Sequence, residues 1–388
     1  VRYDPERVAL ADVTVPPYDV IDADERAALA RRHPASAVVV DLPTTGDDVY
    51  AEAARTLERW QADGLLVRDD EPSFYVYRMT HDDEHGERRH TTGVFGALRL
   101  SRPGEGGILP HEHTTPKAKS DRLNLTRATR ANLSAVWGLS ASAGLSALLD
   151  IDDEPLAEWP DEAGITHALW RISDPAQIDA ITAVADAAPV VIADGHHRYE
   201  TALTYRDELA AADDRSSPGS ASVLVYLVEL ADDELSVLPI HRLLGGLPDD
   251  FDIVGALEPF FDAQPAGPIG PGIADQMVER DALTLVLPDA AWFLVPRATA
   301  MAGVRDLDTS RLDVALAALP PHDLVFQHGV DQVVDRVRRG EAQAGVLLRP
   351  ATVGQIIEIA HGGERMPPKT TFFHPKPRTG VVFRLLDE

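Results

Sequence analysis

A chain of 388 residues that is 44% hydrophobic exceeds what one core accommodates and predicts two domains. Its 63 acidic against 36 basic residues leave a net charge of −27, a surface that repels nucleic-acid phosphates and anionic membranes. Without cysteine, disulfides, thiolate metal sites and cysteine nucleophiles are excluded, and no stretch has the apolar length of a membrane span or a secretory leader, so the expected location is the cytoplasm.

In chain order, VPPYDVIDADERAALARRHP predicts an extended Pro-Pro lead-in and a helix capped by Asp22 or Asp24 that stops before Pro34. SAVVVDLP predicts a short buried strand, and DDVYAEAARTLERWQADGLLV a helix closing on Gly64. SFYVYRMTH and RRHTTGVFGALRL, joined by the polar DDEHGE, predict a β-hairpin. After RPGEGG, ILPHEHT leads into a helix with Thr115 as cap and Pro116 at its first position, running through KAKSDRLNLTRATRANL. SAVWGLSAS and THALWRIS are strand candidates, and DPAQIDAITAVADA is a helix capped by Asp174. PVVIA is a buried strand that runs into ADGHHRYETALTYR, and ASVLVYLVEL and LSVLPIHRLL are two further strands.

From about residue 246 the loop-rich GGLPDD and PAGPIGPGIAD flank a helix, FDIVGALEPFF. ALTLVLPD, AWFLVPR, LDVALAALP, VDQVVDRVRRGEA, AGVLLRP and TVGQIIEIAH then alternate strand and helix. MPPKTTFFHPKPRTGVVFRLL ends the chain as a loop rich in Pro, Lys and His that closes in a strand. The expected architecture is α/β (α+β), with a mixed-sheet domain over 1–245 and a smaller α/β domain over 246–388 that contributes the basic loop.

Only four of the 36 basic residues are lysine: Lys117, Lys119, Lys369 and Lys376. A chain that otherwise uses arginine and keeps lysine in two pairs suggests places where a compact ammonium is needed rather than a planar guanidinium. The ADGHHR turn carries the most chemistry. A strand followed by Asp-Gly and a helix aims the first helical N–H groups outward, where the dipole favours an anion, and Arg198 with His196 and His197 adds donors. Asp194 conflicts with a pure anion site unless a cation such as Mg2+ lies between carboxylate and phosphate.

HEHTTPKAKSDR gathers His111, Glu112, His113, Lys117, Lys119 and Arg122 on a loop entering a helix. Glu112 is a candidate general base. A zinc set of His111 and His113 with His196 or His197 is the alternative, although the spacing is not that of a His-Glu-x-x-His helix. Tyr18 and Asp19 of VPPYD, His241 and Arg242 of LPIHR, and Lys369, His374, Lys376 and Arg378 near the C-terminus are weaker signals.

The ordered motifs PPYDVI, HEHT…K…DR, ADGHHRYETAL, LPIHR and MPPKTTFFHPK…TG, spanning residues 16 to 380, resemble the prokaryotic family catalogued as domain of unknown function 1015, some members of which are linked to serine biosynthesis genes. DGHHRYETAL is also similar to the phosphate-binding motif of the ParB/sulfiredoxin superfamily, and to free serine kinases of that fold. That resemblance implies a ParB/sulfiredoxin-like catalytic region in which Asp194 supports Mg2+ and Gly195, His196, His197 and Arg198 hold nucleotide phosphates. It implies Glu112 as the base, with Asp194 and His197 completing the catalytic set. Lys117, Lys119, Arg122, His111, His113, Lys369, Lys376, His241, Arg242, Asp19 and Tyr18 are then the surrounding substrate and phosphate ligands.

The expected function is a kinase using ATP or ADP with Mg2+ on a small hydroxyl metabolite, serine first. The alternatives are a phosphatase acting on an ester such as phosphoserine, and a ParB-like nucleotide switch without a metabolite substrate. The expected partners are nucleotide and small molecule, not membrane or nucleic acid.

Overall fold

The protein is described here by a computed structural model covering residues 1–83, 86–102, 105–110, 117–231, 233–362, 366–367 and 369–387, with the side chains of 110, 117–119, 360 and 361 outside the description. Two compact units form: Val1–Ser236 with Ile359–Arg365 and Pro375–Glu388, and Val237–Glu358 with Met366–His374. The boundary thus falls before 245, and the last residues of the chain return to the first unit.

The first unit is built on an eight-stranded mixed sheet. Its strands are β1 (Phe74–Asp82), β2 (Arg88–Arg99), β3 (Ile108–Pro110), β4 (Val136–Ser140), β5 (Ala157–Pro160), β6 (Thr166–Ile172), β7 (Val190–Asp194) and β8 (Ser222–Glu229), in spatial order β3-β7-β4-β8-β2-β1-β6-β5. β7 runs parallel to β3 and β8 parallel to β4, and every other neighbour is antiparallel.

Alternation along the strands sends Val76, Val94, Val136, Ile192, Val225 and Leu227 into one core, where Ile181, Tyr199 and Ala202 of two helices cover them. The opposite face is aromatic: Tyr77, Phe95, Trp137 and Tyr226 pack with ring centroids 5.1–6.0 Å apart. The helix starts follow their caps, with Asp22 accepting from the Glu25 N–H at 2.8 Å and Asp174 from the Ala176 N–H.

The second unit has a six-stranded, wholly antiparallel sheet. Its strands are β9 (His241–Gly245), β10 (Phe261–Pro265), β11 (Leu283–Val286), β12 (Ala291–Pro296), β13 (Asp323–Gln327) and β14 (Ala344–Leu347), in the order β10-β12-β11-β14-β9-β13.

Three local expectations change. SAVVVDLP is not a strand: Val38–Asp41 is a single helical turn with Val38, Val40 and Asp41 buried, so burial overrides the β preference of valine. FDIVGALEPFF is helical only over Ile253–Leu257, because Pro259 cannot continue a helix, and Phe261 opens β10. LSVLPIHRLL breaks at Pro239 into Ser236–Pro239 and β9, which belong to different sheets. Among the described residues no helix is long and apolar enough to cross a membrane.

Candidate functional site

The site grows from the end of β7. Pairing of β7 with β4 shifts register between Ile192 and Asp194, a bulge that places Asp194 opposite Trp137. Gly195 follows in the left-handed region at φ +88°, and helix His196–Ala211 starts at once, with no side chain capping it. The glycine is required twice over: its φ is one that side chains resist, and a Cβ there would lie 2.8 Å from Arg198 Nε.

Asp194 joins three parts of the chain. Its Oδ1 accepts from Lys376 Nζ at 2.9 Å and its Oδ2 from Arg198, whose other terminal nitrogen donates to the Ala135 carbonyl. The same ammonium donates to Asp19 Oδ2 at 2.7 Å. Burial pushes the Asp194 carboxyl up, but Lys376 and Arg198 outweigh it and hold it at about 2. Burial likewise opposes the charge of Lys376, and Asp194 with Asp19 more than reverses this, leaving its pKa raised.

Beside this group lies a second. Arg122 donates to the Asp41 carbonyl at 2.6 Å, to Asp41 Oδ1 at 3.2 Å and to Asp121 Oδ2 at 2.6 Å. Its guanidinium covers the Tyr18 ring at 4.5 Å, and that of Arg198 lies 6.0 Å from the same ring centroid. Asp41 is raised by burial against the pull of Arg122 and Arg198. A cavity of about 40 Å³ lies between Asp41, Arg122, Asn132, Arg198 and Thr201, and Asp41 Oδ2, Arg198 Nε and Thr201 Oγ1 are buried with no hydrogen-bond partner among the described residues.

The structure therefore brings Tyr18, Asp19, Arg122, Asp194, Gly195, Arg198 and Lys376 together. His196 is buried and His197 half-buried in the first turn of the helix. His111, Glu112 and His113 lie outside the described residues, as do the side chains of Lys117 and Lys119.

His241, Arg242, Lys369 and His374 belong to the second unit. There His241 accepts from the Leu348 N–H at 3.1 Å, and Arg242 donates to the Ile240 and Lys369 carbonyls at 2.6 and 3.0 Å, with its guanidinium over Phe326. Asp41 and Asp161 escape sequence reasoning. A carboxylate closing the run AVVVD is the one signal that marks Asp41 as a buried acid in need of a cation.

Magnesium on Asp194 does not fit these residues. Both carboxylate oxygens already face cationic side chains, and among the described residues no group of three His, Asp or Glu converges to hold a metal.

Fold and site define a two-unit mixed α/β protein with a charge-balanced turn at the end of the strand next to one edge of the larger sheet. The chain belongs to the family described as protein of unknown function DUF1015, whose sequence pattern matches residues 1–315. No curated protein matches it. Among solved structures it is similar to free serine kinase in complex with AMP, at TM-score 0.40 and 12% identity over 76% of this chain and 92% of that one. SbnI with C-terminal truncation from Staphylococcus aureus gives TM-score 0.41 at 11% identity over 75% and 87%. A conserved hypothetical protein from Pyrococcus furiosus gives 0.36 at 12% identity over 72% and 90%. These likenesses are distant.

Proposed function

We propose that the first unit is a nucleotide-dependent phosphotransferase, a kinase that passes a phosphoryl group from ATP or ADP to the hydroxyl of a small polar metabolite, with L-serine the first candidate. The observation that carries this reading is the junction at Gly195. A left-handed glycine at the end of β7 opens a 16-residue helix, and the chain's N-terminal Tyr18-Asp19 and C-terminal Lys376 converge on it.

The first N–H groups of such a helix have no acceptor within it and carry the positive end of its dipole, which suits a phosphate. Phosphoryl transfer asks mainly for positioning and charge neutralisation, and the turn offers fixed cations on both sides of Asp194. On this reading Arg198 acts as an internal brace, Lys376 faces the reacting groups, and His196 and His197 line the turn. Glu112 is the base toward the acceptor hydroxyl, and Lys117 and Lys119 are further phosphate ligands. Any magnesium is held by the nucleotide phosphates, not by Asp194.

Incubation with ATP or ADP, Mg2+ and a panel of hydroxy-amino acids should give a phosphorylated product, and Glu112→Gln should abolish turnover while nucleotide still binds. Absence of transfer with either nucleotide sinks the reading. Phosphate released from phosphoserine without nucleotide would replace it by hydrolysis, and nucleotide binding with no metabolite binding would replace it by a switch.

A further inference from the structure

We propose that Lys376 is a resident cation: its ammonium holds Asp19 and Asp194 together in the place that a protein-held divalent ion would otherwise occupy, and Arg378 positions it there. This concerns the same turn as the phosphotransferase reading but is tested without turnover, so either can fail alone.

The two carboxylates come from segments far apart in sequence and meet on Lys376 Nζ, at 2.7 and 2.9 Å. A lysine suits the position, being a compact point charge with three donors, where a planar guanidinium would need parallel acceptors. In a chain that uses lysine only four times, this is one of the four. The side chain is 14% exposed.

The backbone that presents Lys376 is fixed on both sides. Pro375 before it has its own φ fixed, and Pro377 after it restricts the φ and ψ of Lys376. Arg378, 5% exposed at its side chain, donates to Asp161 Oδ2 at 2.9 Å, to the Thr14 carbonyl at 2.9 Å and to Glu162 at 3.3 Å. Asp161 is itself fixed by His167 Nε2 at 3.0 Å, and His167 Nδ1 meets Tyr77 Oη at 2.8 Å. Thr379 pairs with Val15 through hydrogen bonds of 2.8 and 3.0 Å, so the lysine segment is joined to the segment that leads to Asp19. Gly380 lies at φ +94° with room for no side chain, because a Cβ would come within 2.8 Å of Ala37 Cβ.

A divalent ion entering this pair would have to expel a tethered ammonium and place its charge beside Arg198, whose guanidinium contacts Asp194. Lys376, Arg198 and His196 favour the Asp194 anion, against burial and the like charge of Asp19 across the shared ammonium. The turn is neutralised without a metal.

Counting bound Mn2+ by electron paramagnetic resonance tests this on the full chain. Asp194→Asn should leave the wild-type count unchanged, whereas Lys376→Met should gain one ion that adding Asp19→Asn removes. Loss of an ion on Asp194→Asn, or no gain in folded Lys376→Met, overturns the proposal.

The wild type supplies a check that does not depend on a variant folding. With 15N-lysine, four Nζ resonances at most are present, and that of Lys376, protected by two carboxylates, should not respond to millimolar Mg2+. A shift or loss of that resonance overturns the resident cation. Arg378→Gln should broaden or remove the Lys376 resonance while the other lysine resonances persist, and an unaltered resonance overturns the positioning role.

Discussion

Gly195→Ala isolates the backbone demand of the turn. Two costs add. An alanine at φ +88° meets the left-handed penalty, about 1–2 kcal/mol. Its Cβ would also lie 2.8 Å from Arg198 Nε and 2.9 Å from Cζ. These atoms are the near part of a guanidinium anchored to the Ala135 carbonyl and to Asp194, so relief requires breaking a charge-assisted hydrogen bond worth about 1.5–3 kcal/mol. The expected loss is about 2.5–5 kcal/mol of the first unit's stability. Urea unfolding followed by tryptophan fluorescence reads it, since Trp60, Trp137, Trp159 and Trp170 all lie in that unit. In an Arg198→Ala background the obstacle is gone and only the φ cost, about 1–2 kcal/mol, should remain. A cost below about 1 kcal/mol, or the same cost in both backgrounds, refutes the packing argument.

That coupling shows where sequence reasoning succeeds and where it stops. The Gly195 turn is legible because its signals are local: four apolar residues, Asp-Gly, then helix-forming residues. The β-hairpin of β1 and β2 and the caps at Asp22 and Asp174 are legible for the same reason. Partnerships are not local. An arginine four residues after Asp194 reads as a phosphate ligand, yet the bulge in β7 and the approach of Ala135 turn its guanidinium inward. The scarcity of lysine singles out Lys376, but its partner Asp19 stands 357 residues away, joined through the Val15–Thr379 bridge. Asp41 stayed hidden because three valines before it imitate a strand, when the segment is a helical turn buried around an ion pair with Arg122.

Removing Arg122 as Met should destabilise the first unit by about 3–5 kcal/mol, because Asp41 is left as a buried, unpaired acid. Arg122→Met with Asp41→Asn should recover part of that loss in urea unfolding, and no recovery would separate the two residues. The Asp161 carboxyl is pushed up by burial, but the hydrogen bonds from His167 and the Ile165 N–H, with the charge of Arg378, bring it down from 3.8 to about 2. A depressed carboxylate stabilises above its unfolded pKa and loses that contribution as pH falls from about 4 through about 2, roughly 2 kcal/mol in all, so Asp161→Asn should flatten this acid limb.

His241 acts in a different window and the opposite sense of charge. Burial foremost, with His328 and Arg242, lowers its pKa from 6.5 to about 4. Between those values the unfolded chain takes up a proton that the folded one refuses, so stability falls as pH drops from about 6.5 to about 4, by about 3 kcal/mol, and levels off below. His241→Asn keeps an acceptor for the Leu348 N–H and removes the titration. Hydrogen exchange of that amide, followed across the window, should lose its pH slope in the variant beyond the intrinsic one. An equal slope in both proteins would mean that the imidazole is charged in the fold, and the buried neutral His241 would have to be abandoned.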